Sequence, residues 1–255
     1  VIPLNGIIAP NLGRRKGLNL NEIDKNIEQA FSVKNLKAVA LQINSPGGSP
    51  VQSEMISQRI RSLSEKNNVP VLAFIEDVAA SGGYWLACSA DEIFASKASI
   101  VGSIGVVSSG FGFDKAIQKI GVERRLYTSG DNKAILDPFL PENKDDVKRL
   151  KSIQKELHSQ FIGFVKSRRG SKISIENKEV FTGAFWSGEK SLEIGLIDSF
   201  GEMKSVLKER FGENVKIREF APKKKLFGFG NLLSGALDIL LQKIYEKGIL
   251  QRFGL

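Results

Sequence analysis

Two glycine-rich turns, each following an apolar run, carry the residues with chemistry to offer. The first, Asn44-Ser45-Pro46-Gly47-Gly48-Ser49-Pro50, follows Leu36–Ile43. Consecutive glycines let a backbone approach another group closely and turn N–H groups outward, an arrangement able to hold an anion or an oxyanion. A tight strand-to-helix connection would use the same residues. The segment has neither the Lys-Ser/Thr ending of a phosphate loop nor a Gly-x-Gly-x-x-Gly run, which disfavours a nucleotide. The second turn, Ala79-Ala80-Ser81-Gly82-Gly83-Tyr84-Trp85, follows Val71–Ile75 and opens a helix. A serine at such an elbow presents its hydroxyl where small neighbours leave room for a carbonyl, with the Gly82 N–H beside it. The competing reading makes Ser81 an ordinary helix N-cap.

A nucleophilic serine needs a base. The chain has one histidine, His158, so a Ser-His-Asp site requires that residue to be placed for it. The other choice is a lysine. A lysine base starts from a pKa near ~10.4 and must be brought down about three units by desolvation, about 4 kcal/mol of environment. Spacing does not select among the lysines, because the fold brings such partners together.

The elements that must position these turns alternate. Apolar runs at Val1–Leu4, Leu36–Ile43 and Val69–Ile75 are interleaved with amphipathic stretches at Leu20–Phe31 and Val51–Leu63, which reads β-α-β-α-β. The second and third runs are nearly continuous in apolar residues, as strands of a parallel sheet covered on both faces are. The fold class expected is therefore α/β. Further on, the pattern predicts a helix over Gly82–Ala90, short strands near Glu92–Ala95, Ile104–Val107 and Val122–Tyr127, a loop at Ser129–Glu142 and a long helix over Lys144–Val165. From Val180 it predicts a short strand and then a helix opening near Ser187. Asn231–Lys247 has apolar residues at helical spacing behind Lys223-Lys224-Lys225, the make-up of a docked helix, an oligomer contact or a membrane-surface helix.

Composition narrows the function classes. The 255 residues are 42% hydrophobic and 25% charged, with a net charge of +9, which suits a globular protein that meets anionic surfaces. One cysteine, Cys88, excludes an internal disulfide. With a single histidine beside it, no zinc set is expected, and no cofactor. No stretch approaches the roughly 18 uninterrupted apolar residues of a membrane span, and the absence of an initial Met leaves room for a targeting or anchoring segment upstream. A basic-aromatic nucleic-acid motif is missing. Cys88, His158, Tyr84, Trp85, Asp91 and Asp198 read as structural: a core thiol, a surface imidazole, two packing aromatics, a helix-end and a turn carboxylate.

Taken in order, NSPGG (Asn44–Gly48), ASGGYWLACSAD (Ala80–Asp91), GSIGVV (Gly102–Val107), Lys133 before Asp137-Pro138-Phe139, and FTGAFWSGEKSLEIGLIDSFG (Phe181–Gly201) resemble the bacterial signal peptide peptidase A family, including its relative SohB. The likeness covers nearly the whole chain. The two glycine turns alone are shared with the wider Clp protease and crotonase fold; the GSIGV segment and the late glycine pattern make the likeness specific.

That resemblance implies a Clp/crotonase-like protease domain over 1–220, with a basic amphipathic helical extension over 221–255, and a serine endopeptidase with a Ser/Lys dyad. Ser81 matches the family nucleophile, Lys133 its general base and Ser103 the serine that hydrogen-bonds the lysine amine. The backbone N–H groups of Gly48 and Gly82 match the oxyanion hole. It implies no metal or cofactor, and peptide substrates such as cleaved signal peptides. These are expected to lie as extended strands between Gly48–Gln52 and Ile104–Val107. It further implies a homo-oligomeric ring working at the bacterial inner membrane on its extracytoplasmic face, with the anchor absent from this chain. Two other classes compete. A silent peptide-binding scaffold would not need Ser81, Lys133 and Ser103, and acyl-CoA chemistry would need carboxylate bases near the glycine turns, which are missing.

Overall fold

The computed structural model describes residues 1–11, 17–173, 178–222 and 247–255. The chain forms two compact units, one of Val1–Gly105 with Phe161–Leu255, the other of Val106–Gln160.

The first unit is built on a seven-stranded sheet. Strands β1 (Ile2–Asn5), β2 (Val39–Ser45), β3 (Val71–Ala80), β4 (Glu92–Ala95) and β7 (Ser199–Phe200) lie side by side in that order and pair in parallel. The distal end of β3 turns to pair with β5 (Ile100–Gly102), which pairs antiparallel with β6 (Phe185–Ser187), the strand that leads into α6 (Gly188–Glu193). Helices α1 (Leu20–Phe31), α2 (Pro50–Asn67) and α3 (Gly82–Ala87) make the crossovers. The expected β-α-β-α-β order and α/β class are what the chain adopts.

Each helix starts where local chemistry supplies a cap. The Asn19 side chain accepts from the Glu22 N–H, and Ile23, Ile27 and Ala30 then fall on one buried face of α1. Ser49 caps α2 ahead of Pro50, whose missing N–H costs nothing in the first turn, and Asn68 in a left-handed conformation ends it. One face of the sheet, with Leu41, Ile43, Ala73, Ile75 and Ala79, packs against these helices as the main core. The other face packs Leu72, Phe74 and Phe94 against α7 (Met203–Phe211), and further along packs Val78 and Ala80 against Phe253.

Between Ile43 and Ser45 the register of β2 on β3 slips, from Ile43 opposite Ile75 to Ser45 opposite Ala79. Glu76 and Asp77 are the extra residues, held on the exposed surface by Gln42 and Asn44 at 2.6 and 2.7 Å. The slip swings the ends of both strands, and so both glycine turns.

The second unit contains α4 (Asp114–Lys119) and the first four turns of α5, which as a whole spans Lys144–Arg169. The Phe113 N–H donates to Pro138 O at 2.6 Å, and Arg124 pairs with Asp137 at 2.8 Å. None of residues 106–160 is buried.

The structure corrects several expected elements. Ile104–Val107 is not a strand: the strand is Ile100–Gly102, and Ser103, with φ +55°, breaks the extended backbone before Ile104. Val122–Tyr127 pairs with no strand among the described residues; its backbone leaves α4 through a turn in which the Val122 N–H donates to Ile117 O. The short strand expected after Val180 is β6, which begins only at Phe185 behind a 3-10 turn over Lys178–Phe181 and leads into the helix capped by Ser187, and α3 stops at Ala87 instead of Ala90. Most of the expected 221–255 extension, including Lys223–Lys225 and all but the last residue of Asn231–Lys247, lies outside the described residues.

Candidate active site

The first glycine turn is fastened to β1 and to the residues just after that strand. The Ser45 hydroxyl donates to Gly6 O at 2.7 Å, the Ile8 N–H donates to Gly47 O at 2.9 Å, and the Ser49 N–H donates to Ile8 O at 2.7 Å. Gly48 sits between these bonds with φ +144°, and its own N–H is not spent on any of them. A Cβ on Gly47, which has φ +98°, would lie 2.7 Å from both Ala80 O and the Gly82 nitrogen. The two turns are therefore in contact through bare backbone, and only glycine permits it.

Ser81 stands at the junction of β3 and α3 with φ +53° and ψ −122°, a conformation costly for a residue with a side chain. It is held there by its N–H, which donates to Gly102 O at 2.8 Å, and by its carbonyl, which accepts from the Trp85 N–H at 3.0 Å. Although Ser81 occupies the N-cap position, its side chain makes no capping bond. Ser49 and Ser187, at the same position of α2 and α6, both cap. The hydroxyl of Ser81 is thus free of the role that the simpler reading gave it.

Gly82 begins α3, and its N–H has no acceptor among the described residues. A Cβ there would run into the Ser53 hydroxyl and come within 3.4 Å of the Gly48 nitrogen. Two donors from different turns therefore flank Ser81, as stabilisation of an anionic oxygen requires. Ser103 follows Gly102, which pairs with Ala80, so the two serines leave neighbouring strands side by side. The Ser103 N–H donates to Ala184 O at 2.7 Å, tying it to the late FTGA segment.

Ser81, Gly48, Gly82 and Ser103 all belong to the first unit. Lys133 belongs to the second, on an exposed turn over residues 131–136. The expected substrate edge at Gly48–Gln52 is shorter than the sequence suggests, because Pro50–Gln52 form the first turn of α2.

The residues read as structural pack as such. Tyr84 is fully buried and its hydroxyl donates to Leu196 O at 2.8 Å. Trp85 stacks on Phe161 and Phe164 with ring centroids 4.7 and 5.4 Å away. Burial pushes the Cys88 thiol up to about 12, which leaves it inert as a nucleophile. His158 lies on α5 in the second unit.

The sequence reading missed the cations around Asp91 and Asp198. Asp91 takes Arg61 at 2.8 Å and Arg168 at 3.0 Å, while Asp198 takes Arg169 and Lys172, each at 2.6 Å. Burial alone would raise the Asp198 carboxyl, but bonds from Arg169, Lys172 and the Ile93 N–H outweigh it and hold it below the usual range. The one available signal was the Arg168-Arg169 pair closing a long helix.

Residues 64–216 match Peptidase family S49. Over its full length the chain is 45% identical to a segment of a Brucella abortus protein named Na(+)/H(+) antiporter NhaA, covering 36% of that protein. Protease 4 of Haemophilus influenzae is 30% identical over 79% of this chain and 32% of its own length. Serine protease SPPA, chloroplastic, of Arabidopsis thaliana is 31% identical over 71% of the chain and 26% of its own length. The chain thus spans about a quarter to a third of these three relatives. With the matched region taking in Ser81, Ser103, Lys133 and the FTGAFWSGEK segment, the chain belongs to Peptidase family S49, a family of serine-type peptidases.

Proposed function

We propose that this chain is the catalytic part of a serine endopeptidase that works with a Ser/Lys dyad. Ser81 Oγ attacks the scissile carbonyl while the neutral Lys133 amine takes its proton, and the Gly48 and Gly82 N–H groups receive the oxyanion. The tetrahedral intermediate collapses as the leaving amine takes the proton back from Lys133. Water, deprotonated by the same lysine, then releases the acyl group and restores Ser81. Ser103 hydrogen-bonds the lysine amine and keeps its lone pair on the serine.

One observation carries this reading: a serine in a left-handed conformation, its hydroxyl unused by the helix it begins, between two main-chain donors that have no acceptor among the described residues. The substrates proposed are cleaved signal peptides and other peptides left in membranes, met as extended chains. The protein they are met by is a homo-oligomer at the extracytoplasmic face of the bacterial inner membrane. Support for self-assembly comes from the second unit, where Val107, Phe111, Ile120 and Tyr127 are 66%, 81%, 74% and 91% exposed. Among the described residues no helix is long and apolar enough to cross a membrane. The antiporter name belongs to the longer Brucella protein and is not carried over.

A fluorophosphonate probe tests the reading directly. Wild type is expected to label and Ser81→Ala is not; equal labelling moves the nucleophile elsewhere, and no labelling of either favours a silent peptide-binding scaffold.

A further inference from the structure

The elbow helix α3 is six residues long, about 9 Å. Its N-terminus carries the Gly82 donor, and its other end is pinned by several bonds. Arg168 Nε donates to Cys88 O at 3.0 Å and its Nη2 to Ala90 O at 2.9 Å; Arg61 Nη1 reaches Ser89 O at 3.4 Å. Three consecutive carbonyls past the end of the helix are thus held by two guanidinium groups, where cations also suit the helix dipole. Asp91 joins the pair. Its Oδ1 accepts from Arg61 and Arg168, its Oδ2 accepts from the Val71 N–H at 2.9 Å, and its own N–H donates to Val71 O at 2.8 Å.

Arg61 lies on α2, the helix that the Gly48 turn opens, so the cluster joins α3, which carries the Gly82 donor, to the helix that follows the Gly48 donor. We propose that Arg61, Asp91 and Arg168 are positioning residues that set the separation of the Gly48 and Gly82 N–H groups. The lever is short. A tilt of about 3° at the carbonyl end of a ~9 Å helix moves its first N–H by roughly 0.5 Å, which is the tolerance of a working site. Tyr84 and Trp85 fix the helix sideways through Leu196, Phe161 and Phe164, whereas the arginines and Asp91 fix its end.

This inference rests on the serine-peptidase reading, and the experiment separates the two. Arg168→Ala, Arg168→Lys and Asp91→Asn are made in the full chain and assayed on a chromogenic peptide at temperatures where each is folded. Arg168→Ala is expected to lower kcat at least tenfold with KM within twofold. Affinity for a peptide aldehyde, which presents an oxyanion, falls in proportion, while affinity for the product peptide does not. Millimolar guanidinium restores part of both losses, and Arg168→Lys, unable to bridge two carbonyls, restores little. Folded variants that keep kcat and aldehyde affinity within twofold overturn the proposal, as does a loss confined to KM or to thermal stability. If Arg168→Ala does not fold, Arg61→Gln, which leaves Arg168 in place, gives the same readouts. Wild type without Ser81-dependent turnover would sink the peptidase reading instead. In that event the Gly48 and Gly82 amide resonances still decide: they shift in Arg168→Ala and return with guanidinium, or the positioning role is wrong.

Discussion

The two units of the chain hold the proposed catalytic groups in opposite ways. In the first, Ser81 follows β3, whose last residues Val78, Ala79 and Ala80 are fully buried, and its own backbone is held by hydrogen bonds with Gly102 at the end of β5 and Trp85 of α3. In the second, Lys133 lies on an exposed turn in a segment with no buried residue. The proposed nucleophile and oxyanion donors are thus positioned by the core of one unit. A lysine that serves as a base needs desolvation, and the second unit has no core of its own to provide it.

The contrast predicts that function and stability separate by unit. Lys133→Ala should cut turnover by about 10²–10⁴, the usual worth of a general base, with an unchanged melting temperature because Lys133 is exposed. Measured side by side, a large fall in melting temperature would show that Lys133 is structural and break the comparison. In the first unit, Phe161→Ala removes a ring that is 3% exposed and stacked on Trp85, and should cost about 3–5 kcal/mol in denaturant unfolding. Phe111→Ser, at a ring 81% exposed, should stay within about 0.5 kcal/mol while weakening self-association in sedimentation. Equal losses at the two rings would mean that the second unit has a core after all.

Gly82→Ala sharpens the claim about the elbow. Its Cβ would meet the Ser53 hydroxyl and approach Ile8 Cδ1 to 3.2 Å, forcing the first turn of α3 to move. One displaced oxyanion donor is worth roughly 10²–10³ in kcat. A variant that folds and turns over within threefold of wild type would exclude the Gly82 N–H from the oxyanion site.

Legibility in the sequence divides along the same line. The buried strands announced themselves as continuous apolar runs, and the elbow was readable because small residues and serine at a strand end have few other uses. Val122–Tyr127 was misread since a few apolar residues in an exposed segment mimic a strand, although no partner strand among the described residues takes up its backbone groups. Ile104–Val107 was misread because the left-handed backbone at Ser103 is invisible in a residue that is not glycine. The cluster of Arg61, Asp91 and Arg168 spans 30 and 77 positions of sequence, and no local pattern reports a pairing of residues from α2, from the stretch after α3 and from the end of α5. Lys133 came from family likeness alone; its local sequence is that of any polar turn.

The smallest expected effect concerns acid. Asp198 and Asp91 are both held below the usual carboxylate range: burial pushes each upward, and the hydrogen bonds and nearby cations more than compensate. A carboxyl depressed in the folded state contributes stability that is fully present above its unfolded pKa near ~3.9, and loses it as pH falls through the folded value. Urea unfolding of wild type should therefore hold steady down to about pH 5 and weaken progressively below about pH 4. Asp137 is depressed as well, by Arg124 and the Phe139 N–H, but it belongs to the second unit. Asp137→Asn should consequently leave the acid limb where it was, since an ion pair exposed to solvent contributes little. If removing that carboxylate flattened the limb, the acid-sensitive bonds of the fold would lie in the second unit, and the division between a rigid nucleophile unit and a coreless lysine unit would have to be redrawn.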